Sequence, residues 1–264
     1  ALPASSLANP DFEMIDLFGA GLPDLVEING MVRYWRNLGG GCFDSPRMMQ
    51  NAPGGFALAN AGVQMIDANG NGRADLLVTN AAGSGYFPLN FSGQWDQSGF
   101  RPYSQAPSIN LEDPDVRLVD LDGDGVTDAI RSATQLECYF NDPQHGWTSH
   151  TLVSRQALDQ FGSASFSDPH VKWSDFTGSG LQTIALVYDG SVSYWPHFGY
   201  GRWGKPIAMQ YSPRFPFGYD PARILIGDVD GDGLADIVYV DNGSIILWIN
   251  QSGNRWSSPI TIQG

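Results

Sequence analysis

Residues 116–130 read VRLVDLDGDGVTDAI, and the nine positions from Asp120 to Asp128 decide how the rest of the chain is read. Carboxylates stand at positions 1, 3, 5 and 9 (Asp120, Asp122, Asp124, Asp128), with Gly123 and Gly125 supplying the freedom for a sharp turn. The same loop begins again at Asp16, Asp67, Asp175 and Asp228, so successive copies are 51, 53, 55 and 53 residues apart. A period of this length means that one supersecondary unit is stacked on itself several times.

Aromatic residues keep phase with the loops. One follows the first Asp by 19 or 20 residues, at Trp35, Phe87, Phe140, Trp195 and Trp248. A second follows by 27 or 28, at Phe43, Trp95, Trp147, Trp203 and Trp256. Within a unit the runs VRLV, DAIRS and ECYFN and a segment near Thr148 to Leu152 read as short strands bounded by turn residues. Strict alternation would turn Val116 and Leu118 to one side and Arg117 and Val119 to the other. Four antiparallel strands in about 50 residues fit a propeller blade better than a solenoid coil. The expected fold is therefore an all-β propeller with five visible four-stranded blades, at about 12–51, 62–107, 115–154, 170–211 and 223–264, in one domain over 1–264. The phased aromatics should pack between blades, and one or two helical turns are expected at Ser154 to Phe161.

The 264 residues carry a net charge of −14 although only 16% are charged. Thirteen of the 28 acidic residues sit at loop ligand positions. A nucleic-acid backbone would be repelled by such a surface, whereas bound cations would neutralise much of it. Cys42 and Cys138 occupy different places in different units and read as free thiols. No apolar run reaches the roughly 18 residues of a membrane span, and ALPASSLANP at the start lacks the pattern of a signal peptide.

Calcium takes six to eight hard oxygen ligands in flexible geometry, which carboxylates at positions 1, 3, 5 and 9 and a carbonyl at 7 can supply. The third loop offers Asp120, Asp122, Asp124, the Val126 carbonyl and Asp128; the fifth offers Asp228, Asp230, Asp232, the Leu234 carbonyl and Asp236. The second keeps the oxygens with fewer charges, in Asp67, Asn69, Asn71, the Arg73 carbonyl and Asp75. Two to three structural calcium sites are expected. The fourth loop retains one carboxylate (Asp175, with Thr177, Ser179 and Thr183), and Phe18 and Ala20 displace two ligands in the first, so both should stand without metal. An EF-hand is excluded, because position 12 is Val78, Arg131 or Tyr239 and lies in a strand-like run. Asx-rich turns holding no ion are the competing reading.

No catalytic constellation stands apart from the repeat, and no catalytic residue is assigned. His145, His150, His170 and His197 lack metalloprotease spacing, and no nucleophile elbow occurs. Tyr34 with Trp35, Tyr194 with Trp195, and Trp248 could form sugar-stacking clefts, so a calcium-stabilised carbohydrate-binding or adhesion propeller is the alternative reading. The segment YSPRFPFGYDPAR, Tyr211 to Arg223, is expected as an ordered loop covering one face outside the central strands, with its aromatics and arginines read first as blade-to-blade packing and second as an interface.

The strings VRLVDLDGDGVTDAI, FEMIDLFGAGLPDLVEINGMVRYWRNLG, SPRFPFGYDPARILIGDVDGDGLADIVYV and LWINQSGNRWSSP closely resemble the propeller region of the B component of insecticidal toxin complexes, which belongs with the SpvB-like virulence proteins. The likeness covers essentially the whole chain. It implies a secreted assembly in which B and C components form a shell around a toxic enzyme, and the B propeller docks onto a channel-forming A component and opens as a gate. A domain of that kind is not an enzyme. The family propeller has six blades, so with five units visible the chain reads as a fragment. No docking residue can be carried over by motif.

Overall fold

The computed structural model describes residues 9–80, 83–157, 161 and 164–263. Five antiparallel four-stranded sheets follow one another, each with its strands in sequence order, and together they make the all-β propeller fold expected from the repeat. The first comprises Phe12–Ile15, Asp24–Ile28, Val32–Trp35 and Arg47–Met48; the second Val63–Ile66, Asp75–Asn80, Gly83–Phe87 and Arg101–Pro102. The third comprises Val116–Val119, Asp128–Ser132, Leu136–Asp142 and Gly146–Val153. The fourth holds Val171–Ser174, Thr183–Tyr188, Ser191–Trp195 and Ile207–Ala208; the fifth Ile224–Gly227, Asp236–Asp241, Ser244–Trp248 and Ile260–Gln263.

By internal packing the chain divides into two compact units, 1–112 with 124–128 and 140–149, and 113–123 with 129–139 and 150–264. In the first unit Val26, Ile28 and Val32 of one sheet pack with Val63, Leu76, Val78 and Phe87 of the next, and Trp95 closes the cluster. In the second, Ala185, Val187, Val192 and Tyr194 of the fourth sheet pack with Ile224, Ile237, Tyr239 and Trp248 of the fifth. One face of a sheet thus meets the opposite face of its successor, which is why the aromatics keep a fixed phase. Trp35, Trp95, Trp195 and Trp256 are among the largest fully buried side chains.

Strict alternation fails in the first strands. Val116 and Val119 are both buried, while Arg117 and Leu118 are half-buried. At the expected helix only a single 3₁₀ turn forms, at Arg155–Ala157, and residues 158–160 lie outside those described. The Tyr211 to Arg223 segment forms no strand and ends in a 3₁₀ turn at Pro221–Arg223. Its Phe215 enters the core, 4.9 Å from the Tyr219 ring and 5.3 Å from Trp248, so packing accounts for part of its aromatic content. Cys138 is buried, Cys42 is exposed, and neither forms a disulfide.

Candidate functional site

Each Asp loop joins the first and second strands of its sheet, and its first carboxylate organises the turn. Asp67 accepts from the backbone N–H groups of Asn69, Gly70, Asn71 and Gly72. Asp228 accepts from Gly231, Asp232 and Gly233, and Asp120 from Asp122 and Gly123. The two loops that lack a ligand set do the same, Asp16 with Phe18, Ala20 and Gly21 and Asp175 with Thr177, Gly178 and Gly180. Burial pushes both of these carboxyls up, but the backbone donors outweigh it and hold them below the usual range. A carboxylate served by several N–H groups needs no cation, so the first Asp is a turn residue before it is a ligand.

The ninth position is a second structural fixture. Asp236 is fully buried and accepts from Val229 N at 2.9 Å and Asn250 N at 2.7 Å, tying the loop to the end of the third strand. Asp24 makes the same pair of bonds with Leu17 and Asn37, and Asp75 with Ala68 and Leu89. Asp128 receives the Asn141 N–H at 2.7 Å. Burial pushes the Asp24 carboxyl up and takes Asp75 up to about 7. Asp236 also rises, first through burial and then through the charges of Asp230 and Asp232. In the fourth loop Thr183 replaces this carboxylate and donates to the Ser174 carbonyl.

The carbonyl at position 8 is also served from within the same sheet. Asn37 donates to Pro23 O, Trp95 Nε1 to Ala74 O, Asn141 to Thr127 O and Asn250 to Ala235 O. His197 stands in the corresponding place of the fourth repeat, opposite Gln182. It is buried and stacked on Trp203 at 4.1 Å, and neither ring nitrogen has a hydrogen-bond partner in good geometry. Burial takes its pKa down to about 4, with the Gln182 backbone and the Asp120 charge opposing only weakly. Metal-ligand spacing does not single out this histidine; the signal that does is its place in the repeat, where three of the other four units carry asparagine.

Within each unit successive loops pack together. Thr127 N donates to Asp67 O at 2.7 Å, and Ala235 N to Asp175 O at 2.8 Å. Side chains at position 7 rest on the position-4 glycine of the preceding loop: a Cβ at Gly70 would lie 3.3 Å from Val126, one at Gly123 3.6 Å from Leu181, and one at Gly178 3.3 Å from Leu234.

What remains for a cation is set by positions 3 and 5. Ligand oxygens of Asp228, Asp230 and Asp236 lie within 4.8 Å of one another, as do those of Asp120, Asp122 and Asp124. Asp232 and Asp124 are exposed, and each accepts the N–H of the position-7 residue, Leu234 and Val126 respectively. In the second loop Asn71 takes the Arg73 N–H, and the Asn69 amide donates to Asp75 at 2.6 Å. That amide occupies the carboxylate oxygen a cation would seek.

The aromatic and histidine candidates resolve into packing or surface contacts. Trp35, Trp195 and Trp248 are all buried and present no ring face for a sugar to stack on. His145 pairs with Asp142, His150 stacks on Tyr139, and His170 lies between Asp168 and the Tyr188 ring. Among the described residues no histidine joins an acidic cluster, and no helix is long and apolar enough to cross a membrane.

Comparison with known proteins gives this geometry a context. No family model and no curated protein matches the chain. Among solved structures it is similar to the Photorhabdus luminescens Tc holotoxin pore, at a TM-score of 0.77 and 26% identity over 97% of this chain and 12% of that one. It also matches TcdB2-TccC3, at a TM-score of 0.50 and 25% identity over 98% of this chain and 13% of the other. An Agrocybe aegerita lectin specific for non-reducing terminal N-acetylglucosamine shares the fold alone, at a TM-score of 0.64 and 18% identity over 96% of this chain and 65% of the lectin. The chain thus spans about an eighth of the toxin-complex chains it matches.

Proposed function

We propose that this propeller is the docking and gate domain of a bacterial toxin-complex B component, a non-enzymatic part of a secreted assembly. It binds the channel-forming A component, sits beside the C component, and controls passage of the toxic enzyme. The observation that carries this reading is the match to the Tc holotoxin over 97% of the chain at 26% identity. The carboxylates of the Asp loops are engaged in hydrogen bonds that hold the turns and sheets, which supports a scaffold role. Mixing the domain with its cognate channel component and sedimenting the mixture should give a stoichiometric complex. Migration of the two as separate species at micromolar concentration would overturn the reading.

Calcium is the cation whose chemistry suits the third and fifth loops, through Asp120, Asp122, Asp124, the Val126 carbonyl and Asp128, and through Asp228, Asp230, Asp232, the Leu234 carbonyl and Asp236. The donors are all hard oxygens, and the upward push on Asp236 from Asp230 and Asp232 is what a bound cation would relieve. The second loop, with Asp67, Asn69, Asn71, the Arg73 carbonyl and Asp75, is the weakest of the three. Calcium at a hundredfold excess over its dissociation constant should stabilise the fold by about 2.7 kcal/mol per site. Asp230→Asn and Asp122→Asn should each remove one site's share of that gain. A melting temperature unmoved by chelator would show that the loops work without metal.

A further inference from the structure

Between the Tyr211 to Arg223 segment and the Asn250 to Trp256 hairpin of the fifth repeat lies a pocket of about 550 Å³, within the size range of small-ligand sites. The backbone joins its two sides, with Gln210 N donating to Asn254 O at 2.9 Å and Trp256 N to Gln210 O at 3.0 Å. The first and second repeats meet in a similar way, but there a side chain plugs the gap. Gln97, two residues after Trp95, donates its N–H to Asn51 O at 2.8 Å, and its side-chain oxygen accepts from Gly54 N at 3.1 Å. The counterpart of Gln97 is Ser258, two residues after Trp256, and the counterparts of Asn51 and Gly54 are Tyr211 and Arg214. This alignment is fixed by Met49 and Met209, whose N–H groups donate to the equivalent carbonyls of Val32 and Val192. Serine is too short to cross where glutamine does, and the space stays open.

Two of the chain's 14 basic residues, Arg214 and Arg255, line this pocket, and among the described residues no acidic side chain does, although the chain has 28. A pocket farther along the same segment, near Phe217, is by contrast lined by Asp220 and Asp241. Arg214 is held in place: its Nη1 lies 3.3 Å from Asp189, and a Cβ at Gly190 would collide with its guanidinium. The same turn is tied to the segment by Gly190 N to Pro213 O at 2.6 Å and Phe215 N to Asp189 at 2.9 Å. Arg255 is uncommitted. Its equivalent in the fourth repeat, Arg202, spends its guanidinium on the carbonyls of Phe198 and Gly199 at 3.0 and 3.3 Å, whereas the Arg255 guanidinium has no partner among the described residues. The Ser212 and Ser257 hydroxyls are engaged within the protein, each accepting one backbone N–H and donating to one carbonyl.

We infer that this pocket binds a ligand carrying one carboxylate on an apolar body, such as the end of a peptide chain. A guanidinium is a donor only, and its fork of N–H groups matches the two oxygens of a carboxylate. Sugar hydroxyls would find no acidic side chain here to accept from them. A polyanion would meet the repulsion of a chain with net charge −14, which grows with the ligand's own charge, so a single negative group is favoured. Tyr211, 72% exposed, and Pro259 supply an apolar wall beside the arginines.

N-acetylphenylalanine, one carboxylate on an aromatic body, is the probe, titrated into the 264-residue chain and followed by NMR. It should bind saturably, and N-acetylphenylalaninamide, which lacks the charge, should bind at least about tenfold more weakly. Arg255→Gln should cost about tenfold in affinity, and so should Ser258→Gln, which restores the plug of the second repeat. Arg202→Gln should leave binding unchanged. Melting temperatures close to the parent's will show that the variants are folded, and Ser258→Gln carries the test if Arg255→Gln is not. Equal binding of acid and amide, or parental affinity in the folded variants, would overturn the inference. So would tighter binding of glucuronate or inorganic phosphate, which would make the pocket a sugar or a phosphate site, and so would the lack of saturable binding up to about 10 mM.

Discussion

Replacing Asp236 with alanine should cost about 3–5 kcal/mol, since it strands two N–H groups that each carry a penalty of about 1–3 kcal/mol when buried without a partner. Those groups are Val229 N and Asn250 N, held at 2.9 and 2.7 Å. The loss is a large part of the roughly 5–15 kcal/mol that stabilises an ordinary domain. It should appear in urea unfolding and should persist in chelator, because the bonds are internal to the protein. Asp230→Asn is the contrast: its side chain is exposed, so in chelator it should change stability by less than about 0.5 kcal/mol. Equal losses for the two variants, both abolished by chelator, would mean that the ninth carboxylate acts only through a metal.

Acid should destabilise the protein through His197, and His197→Asn should remove that sensitivity. The imidazole has a folded pKa of about 4 against an ordinary 6.5, so the fold favours its neutral form. The unfolded chain takes up the proton first as pH falls through 6.5, and stability declines until the folded histidine protonates near 4. A depression of this size corresponds to about 3 kcal/mol over that window. Asp75 contributes with the opposite sign: its carboxyl is pushed up to about 7, so its contribution weakens as pH rises from 3.8 through 7. Because Asp75 is present in both proteins, the difference between parent and variant isolates the imidazole. Asparagine should fit, since Asn37, Asn141 and Asn250 fill the same place in three other repeats and donate to the facing carbonyl. Chemical denaturation from about pH 7 to 4 should show the parent losing stability relative to the variant; parallel curves would refute the assignment.

The repeat is legible because it is written in residues whose local physics does not depend on distant partners. Asp at position 1 and glycines at positions 4 and 6 specify the turn by themselves, and the five loops form as that pattern requires. The phased tryptophans point to burial, and Trp35, Trp95, Trp195 and Trp256 are buried. Ligand positions are harder to interpret, because a carboxylate looks the same in sequence whether it holds a cation or a backbone N–H. The pattern ranks Asp236 and Asp128 as ligands beside Asp230 and Asp122, and it does not show that they also brace the sheet. His197 is one histidine among four in the sequence, although its equivalents by register are asparagines in three repeats.

By itself the sequence determined the period, the strand content and the turn chemistry, since each depends on residues close together in the chain. Only the tertiary structure decided which oxygens are already engaged and that Trp35, Trp195 and Trp248 have no free ring face. Those properties are set by what lies across a sheet or on the next loop, and packing partners about 50 residues away leave no mark on the local pattern.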